Sequence, residues 1–426
     1  MPQLREAPPG DLPPGDLTGR QVGRYTVLSH LASGGMAELY IARQQSVGGF
    51  EKQVVLKILQ PRYAKSPRVV QMFLDEARLA AKLNHPAIVH VYDVADEAGL
   101  KYIAMEYIHG ETIADIVKRG LAEGRYLPME HAVHIVRQAA AGLSYAHERR
   151  EPDGRVVRIV HRDVSPTNIL VTYEGQTEIV DFGIARAQDE LREETGILPG
   201  KASYMSPEQI RGETVDHRSD IFALGILLYE LTLCQRLYRG RAEEVMKRIV
   251  DERVAPPTAI KRDYPAALEL IVMRALEKRP QDRYQSAQAM HDDLEEFLSE
   301  SGLRSGNRRV AIYLAELFGS GAGAAGRPED TDEPEALDLD RRAPLSMRIE
   351  PAAEAERRAS SPAAMAVARG TPPTGVDRGP ARVSPTAEVA AHDDTVGVGR
   401  RSRGGLIMLA AFIVLGIAAM VILTLR

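Results

Sequence analysis

One cysteine, Cys234, stands among 426 residues, so no intrachain disulfide can form. A lone thiol fits a reducing cytoplasm. An excess of one charge is also missing. Against 59 Asp and Glu stand 54 Lys and Arg, a formal net charge of −5 that gives no reason to expect a nucleic-acid partner. No apolar h-region marks the amino-terminal stretch. Residues 1–23 are polar and proline-rich, with PPGDL at 8–12 and again at 13–17, and are expected to form a disordered leader. Residues 320–404 lack any sustained apolar period and are rich in Ala, Pro, Gly, Arg, Asp and Glu, which predicts a flexible linker.

What is present is a core-forming share of hydrophobic residues, 44%. A run of twenty residues, LIMLAAFIVLGIAAMVILTL, extends from Leu406 to Leu425 with no charge and only Thr424 polar. At about 1.5 Å per residue such a helix is about 30 Å long, the thickness of a bilayer's hydrocarbon core. A transmembrane helix is therefore expected over 405–425. The alternative, a buried core helix, has no core to enter after a disordered linker. Arg400, Arg401 and Arg403 precede the run. By the positive-inside rule they hold that side in the cytoplasm, which predicts a single-pass protein of the inner (cytoplasmic) membrane.

Between leader and linker, 24–298 reads as one ordered domain. RYTVLSHL, AELYIAR and KQVVLKIL alternate like three successive strands separated by turn residues. A helix over 66–83 follows, with Ser66 as N-cap and Pro67 in the first turn. AIVHVYDV and KYIAMEY read as two more strands. Helical apolar periods then dominate at 128–148, 216–233, 242–251, 264–278 and 285–298. A sheet-based lobe followed by a larger helical lobe puts a cleft between them. Over 299–319 a short extension contains NRRVAIYLAELF (307–318), whose Val310, Leu314, Leu317 and Phe318 share one helical face. Packing against the preceding domain is expected of it rather than a partner site.

Chemistry collects at a few places. In LASGGMAEL (31–39), Gly34 and Gly35 let backbone approach phosphates, although two glycines between strands also make an ordinary hairpin. Lys57 ends the strand run VVLK; alone it reads as a solvated residue. Glu76 sits toward the apolar face of the next helix, beside Met72, Phe73 and Ala80. An inward carboxylate needs a partner, and Lys57 is the natural one. HRDVSPTN (161–168) and DFG (181–183) are the strong signals. Asp163 is placed to accept a hydroxyl proton. Asn168 and Asp181 offer oxygen ligands to Mg²⁺, a hard cation that prefers them.

In that order, these motifs resemble a eukaryotic-like (Hanks-type) serine/threonine protein kinase of the bacterial kind, over about 24–298. The resemblance implies an α+β, bilobal protein-kinase fold: a small β-rich N-lobe, a larger helical C-lobe, then the disordered linker and the transmembrane helix. It implies ATP and Mg²⁺ as cofactors, protein substrates, and transfer to serine or threonine hydroxyls with autophosphorylation of the activation segment. Asp163 would be the catalytic base. Lys57, paired with Glu76, would hold the α/β-phosphates, and Asn168 and Asp181 would hold the metal. Leu31, Ala32, Ser33, Gly34, Gly35, Met36, Ala37, Glu38 and Leu39 would cover the nucleotide. Met105 would be the gatekeeper, with backbone groups of Glu106 and Ile108 on adenine and Val55 and Leu170 among the apolar walls. Glu208, in SPE (206–208), would pair with Arg283, and Asp220 would brace the catalytic loop. Arg162 implies a phosphate on the activation segment, and Thr195 is the only threonine there. A membrane tether would favour self-association for phosphorylation in trans. A pseudokinase scaffold and a small-molecule kinase are the alternatives. The first has no need for all five of Lys57, Glu76, Asp163, Asn168 and Asp181.

Two positions depart from the family pattern. Ser165 replaces the catalytic-loop lysine, and Lys201, in GKASYMSPE, replaces a threonine. In the family those side chains meet beside the catalytic aspartate, so a swap is expected in which Lys201 supplies the cation. A unit charge about 4 Å from a phosphate oxygen is worth roughly 4 kcal/mol at an effective dielectric near 20. Losing half of it in the transition state would slow transfer about thirtyfold. The connection HERREPDGRVVRIVHRD is several residues longer than is usual, and EPDG reads as the tip of a surface hairpin.

Overall fold

Apolar residues spaced two apart build the first layer, because successive strand side chains point to opposite faces. The computed structural model describes residues 17–45, 49, 51–97, 99–150, 153–182 and 201–319, without the side chains of Glu76 and Lys201. Of two compact units, Met1–Arg348 and Ile349–Arg426, all of these belong to the first.

Strands β1 (Gln21–Val22), β2 (Tyr25–Ser33), β3 (Ala37–Gln45), β4 (Glu51–Leu59), β5 (Val91–Glu97) and β6 (Leu100–Glu106) form a sheet of order β1-β2-β3-β4-β6-β5. All pairs are antiparallel. On one face Val54, Leu56, Ile58, Tyr102 and Ala104 pack with Tyr25, Val27 and Tyr40. On the other, Val55, Ile103 and Met105 pack with Phe73 and Ala77 of helix α2 (Pro67–Ala80). Ser66 caps α2 by accepting the Val69 N–H, as its sequence predicts, and a short helix α1 (Pro61–Ala64) precedes it. The expected leader is corrected at its end. Leu17 and Val22 are buried and β1 joins the sheet, so the ordered lobe begins before residue 24. Only two residues of β1 pair, too few for alternation to be visible in the sequence.

The second layer is helical. A small sheet of β7 (Gly110–Thr112), β8 (Ile169–Thr172) and β9 (Thr177–Ile179) lies beside α3 (Ile113–Glu123) and α4 (Met129–His147). Beyond residue 200 come α5 (Pro207–Arg211), α6 (Arg218–Leu233), α7 (Ala242–Asp251), α8 (Pro257–Ile260), α9 (Ala266–Ala275), α10 (Ala287–Glu300) and α11 (Asn307–Phe318). Helix α6 is apolar on every side and buried from Ser219 to Thr232, so it forms the axis of the lobe. Arg150 bridges Val156, which closes the expected hairpin around EPDG.

Gly110 shows how tightly the small sheet is packed. A Cβ there would lie 2.2 Å from the Val171 carbonyl oxygen, so only glycine lets β7 reach β8.

Candidate active site

The loop His161–Asn168 is held from below by Asp220, in the first turn of α6. Its Oδ2 accepts the His161 N–H at 2.8 Å and its Oδ1 accepts the Arg162 N–H at 2.7 Å. His147 Nε2, from the last turn of α4, reaches the same Oδ2 at 2.8 Å. Burial pushes this carboxyl up, but the His147 bond and the charges and backbone donors around it win, leaving its pKa below the usual value. The clamp has work to do, since Arg162 sits at φ 66°, a left-handed conformation that costs a side-chain-bearing residue about 1–3 kcal/mol. Gln209 of α5 fixes the other side by donating to the Arg162 carbonyl at 2.9 Å.

The His161 ring joins this loop to the end of β9. Nδ1 accepts the Asp163 N–H at 3.2 Å, so Nε2 carries the proton and donates to the Val180 carbonyl at 2.8 Å. Phe182 packs edge-on against the ring, 4.7 Å between centroids. Asp163 and Asn168 form one unit. The Asn168 amide N–H groups reach the Asp163 carbonyl at 2.8 Å and its Oδ2 at 3.1 Å, so the amide oxygen is the end left to face a cation. Both side chains are buried, as is Ser165, whose hydroxyl meets that of Thr167 at 3.0 Å.

Lys57 closes the site from the sheet. Its Nζ lies 2.9 Å from Asp181 Oδ1, across 124 residues of sequence. Lys57 is buried, opposite Leu39 on β3 and Ile103 on β6. Asp181 lies at φ 63°, a second strained position beside the first. A buried ammonium, two carboxylates and an amide oxygen thus converge where the two lobes meet. Asp181 and Asn168 suit a Mg²⁺ ion that keeps waters and phosphate oxygens as its other ligands. Among the described residues no three His, Cys, Asp or Glu side chains cluster to make an all-protein metal cage.

The expected nucleotide walls also come together. Leu31, Met36, Ala37, Leu39, Val55, Met105 and Ile108 belong to one apolar cluster. Leu170 lies on β8, half-buried, opposite Thr112 and Glu178. The glycine turn is pinned: Gly34 N–H bonds the Ala37 carbonyl at 2.8 Å, and Gln60 bridges Glu38 (2.6 Å) and the Gly34 carbonyl (3.1 Å). Ser33 donates to Glu38 at 2.6 Å. Ala32, from the same stretch, pairs with Leu39 across the β2–β3 ladder. At the hinge the Glu106 N–H is taken by the His90 carbonyl at 2.9 Å, so a base would meet the Glu106 carbonyl instead. Ile108 lies past the strand end, and its N–H donates to no group among the described residues.

Farther out, Arg283 and Glu208 form a bidentate pair at 2.7 and 2.8 Å, fully buried, with Ser219 donating to the same carboxylate. Burial pushes the Glu208 carboxyl up, and Arg283 more than reverses it, so its pKa lies below the usual value. Several contributors were not singled out from the sequence: His147, Gln209, and the buried pair in which Tyr204 donates to Glu230 at 2.6 Å. None carries a local signal, because each acts on a partner distant in sequence. Glu178 is another, raised to about 7 by burial and by the Glu106 carboxylate.

The Lys57–Glu76 and Lys201 contacts expected from the sequence involve side chains outside the described residues, as does Thr195. The apolar run 406–425 also lies outside them, and among the described residues no helix is long and apolar enough to cross a membrane.

Known proteins agree with this geometry. The protein kinase domain family model matches residues 25–294. Tyrosine-protein kinase MasK of Myxococcus xanthus is 41% identical over 299 residues, 70% of this chain and 46% of that one. Serine/threonine-protein kinase PknB of Mycobacterium tuberculosis is 38% identical over 279 residues, 64% of this chain and 42% of that one. The chain therefore spans less than half the length of these curated relatives. The crystal structure of the Mycobacterium tuberculosis PknI kinase domain superposes with a TM-score of 0.50 at 28% identity, covering 66% of this chain and 98% of that one.

Proposed function

The chain belongs to the protein kinase family, and from that premise we propose that it transfers the γ-phosphate of ATP to serine and threonine hydroxyls of proteins. The observation that carries this is the 2.9 Å Lys57–Asp181 pair closing over the Asp163–Asn168 unit. Asp163 receives the proton of the attacking hydroxyl, which strengthens the nucleophile as the bond to phosphorus forms. Lys57 orients the phosphates. Asp181 and Asn168 would hold Mg²⁺, which when bound would neutralise charge on the phosphate oxygens. His161 and Asp220 keep the loop in its strained form, so no reorganisation is needed at the moment of transfer.

A tyrosine acceptor is the second reading. It is favoured by the name of the Myxococcus relative and by the loss of two serine/threonine markers at Ser165 and Lys201. Acid hydrolysis of protein labelled by the purified chain decides between them: phosphoserine and phosphothreonine support the first reading, and phosphotyrosine alone overturns it. Lys201 is proposed to supply the cation that Ser165 lacks; that idea fails if Lys201→Thr leaves the rate unchanged. Thr195 is proposed as the activation-segment phosphosite facing Arg162. The run 406–425 is proposed to anchor the chain in the cytoplasmic membrane, with the catalytic lobes in the cytoplasm and transfer in trans between tethered copies.

A further inference from the structure

Helix α11 has no part in the chemistry just described, yet it is bound more specifically than packing alone requires. At its start Asn307 is a hub. Its Oδ1 lies 2.6 Å from Gln138 Nε2 and 3.0 Å from His134 Nε2 of α4, and its Nδ2 donates to Gln176 in the β8–β9 turn at 2.9 Å. The Asn307 backbone presses on Gly175, at φ 83°, where a Cβ would come within 1.9 Å of the Asn307 carbonyl oxygen. At its other end Arg119 of α3 donates to the Leu317 carbonyl at 3.4 Å, and Arg125 pairs with the Glu316 carboxylate at 2.5 Å.

The last residue of the helix, Phe318, meets the edge of Tyr173, 6.5 Å between ring centroids. Tyr173 in turn grips the inter-lobe segment from three directions. Its N–H donates to the His109 carbonyl at 3.0 Å, its hydroxyl donates to the Glu111 carboxylate at 2.5 Å, and its ring packs against His109 at 4.8 Å. His109 follows directly on Ile108, the expected backbone donor to the base, and Thr112 pairs with Leu170, an expected wall of the same pocket.

We infer that Tyr173 and Phe318 are positioning residues for the nucleotide: α11 sets the conformation of residues 108–112 through the Phe318–Tyr173 contact and so governs affinity for ATP. The inference rests on the kinase reading for the location of the nucleotide, but its readout is separable from transfer. Neither side chain reaches the phosphates, so the hinge end of ATP feels the change and the reacting end does not.

The test uses the full chain in three variants. Phe318→Ala removes the contact, Tyr173→Phe keeps the ring but deletes the hydroxyl bonded to Glu111, and Ile312→Ala alters the exposed face of α11. Nucleotide affinity is measured by calorimetry with a non-hydrolysable ATP analogue, and KM and kcat by transfer. Losing one hydrogen bond to a charged group predicts a rise of about tenfold in KM and in the analogue's Kd for Tyr173→Phe, with kcat within about twofold. Phe318→Ala is expected to shift the same two constants in the same direction, Phe318→Tyr to restore them, and Ile312→Ala to change nothing. Unchanged affinity in both Tyr173→Phe and Phe318→Ala, or a fall in kcat at constant KM, overturns the inference. A wild type that binds the analogue but transfers no phosphate, with variants that still bind it more weakly, leaves the inference standing and overturns the functional reading.

Discussion

Two carboxyls, Glu208 buried and Glu178 half-buried, respond to pH in opposite senses. Glu208 is held below its usual pKa by Arg283, so its contribution to stability is complete above the ordinary carboxylate range and is lost as pH falls through its folded value. Glu208→Gln is expected to cost about 3–5 kcal/mol in urea unfolding near neutral pH, because the Arg283 guanidinium stays buried without its anion. As pH falls below the usual carboxylate range, by contrast, the deficit should shrink. A deficit unchanged with pH would contradict the ion-pair account. Glu178 is raised to about 7, so the folded chain binds a proton there that the unfolded chain has released. Stability from this group is full below the unfolded value, about 4.3, and declines as pH rises toward and through 7. In Glu178→Gln the fall in melting temperature between about pH 5 and 8 should be shallower than in wild type; an unchanged slope would refute this. At the same scale, Lys57, Asp163, Asn168 and Asp181 were legible because the motifs name them. The braces of the catalytic loop, His147 and Gln209, were not, since each is an ordinary polar residue until the fold brings its partner near.

At the scale of elements, patterns of period two and 3.6 found the long strands and helices. NRRVAIYLAELF matches α11 end to end, because its apolar face is continuous and its docking uses that face. Some short elements escaped. Strands β1 and β7 have two and three residues, and β7 is specified by a contact instead of a pattern. Helix α3 was passed over although Thr112 caps it and Gly124 ends it in a left-handed turn; only three of its residues are buried, so its apolar stripe is thin. The β7–β8 junction makes a direct prediction. Gly110→Ala places a methyl group against the Val171 carbonyl and should lower stability by more than the usual 1–3 kcal/mol of overpacking, because backbone cannot step aside like a side chain. Gly124→Ala meets no neighbour within 4 Å and should cost only the strain of its φ of 68°. Equal losses in thermal unfolding would argue against a tight junction.

For the whole molecule, the proposed membrane anchor at 406–425 makes its own prediction. Membrane fractionation of cells making the full chain should recover it in the membrane pellet, resistant to high salt, while a chain ending at residue 404 should be soluble. Salt-extractable full-length protein would remove the anchor. The central claim is that Asp163 serves the transfer step and not nucleotide binding. It is tested most directly by comparing wild type with Asp163→Asn for both nucleotide affinity and the rate of label transfer from γ-labelled ATP to protein. Expected is an ATP-analogue Kd within a few-fold of wild type and a transfer rate lower by about 10²–10⁴, the range of general base catalysis. Transfer by Asp163→Asn at the wild-type rate, or no transfer by either protein, would contradict it.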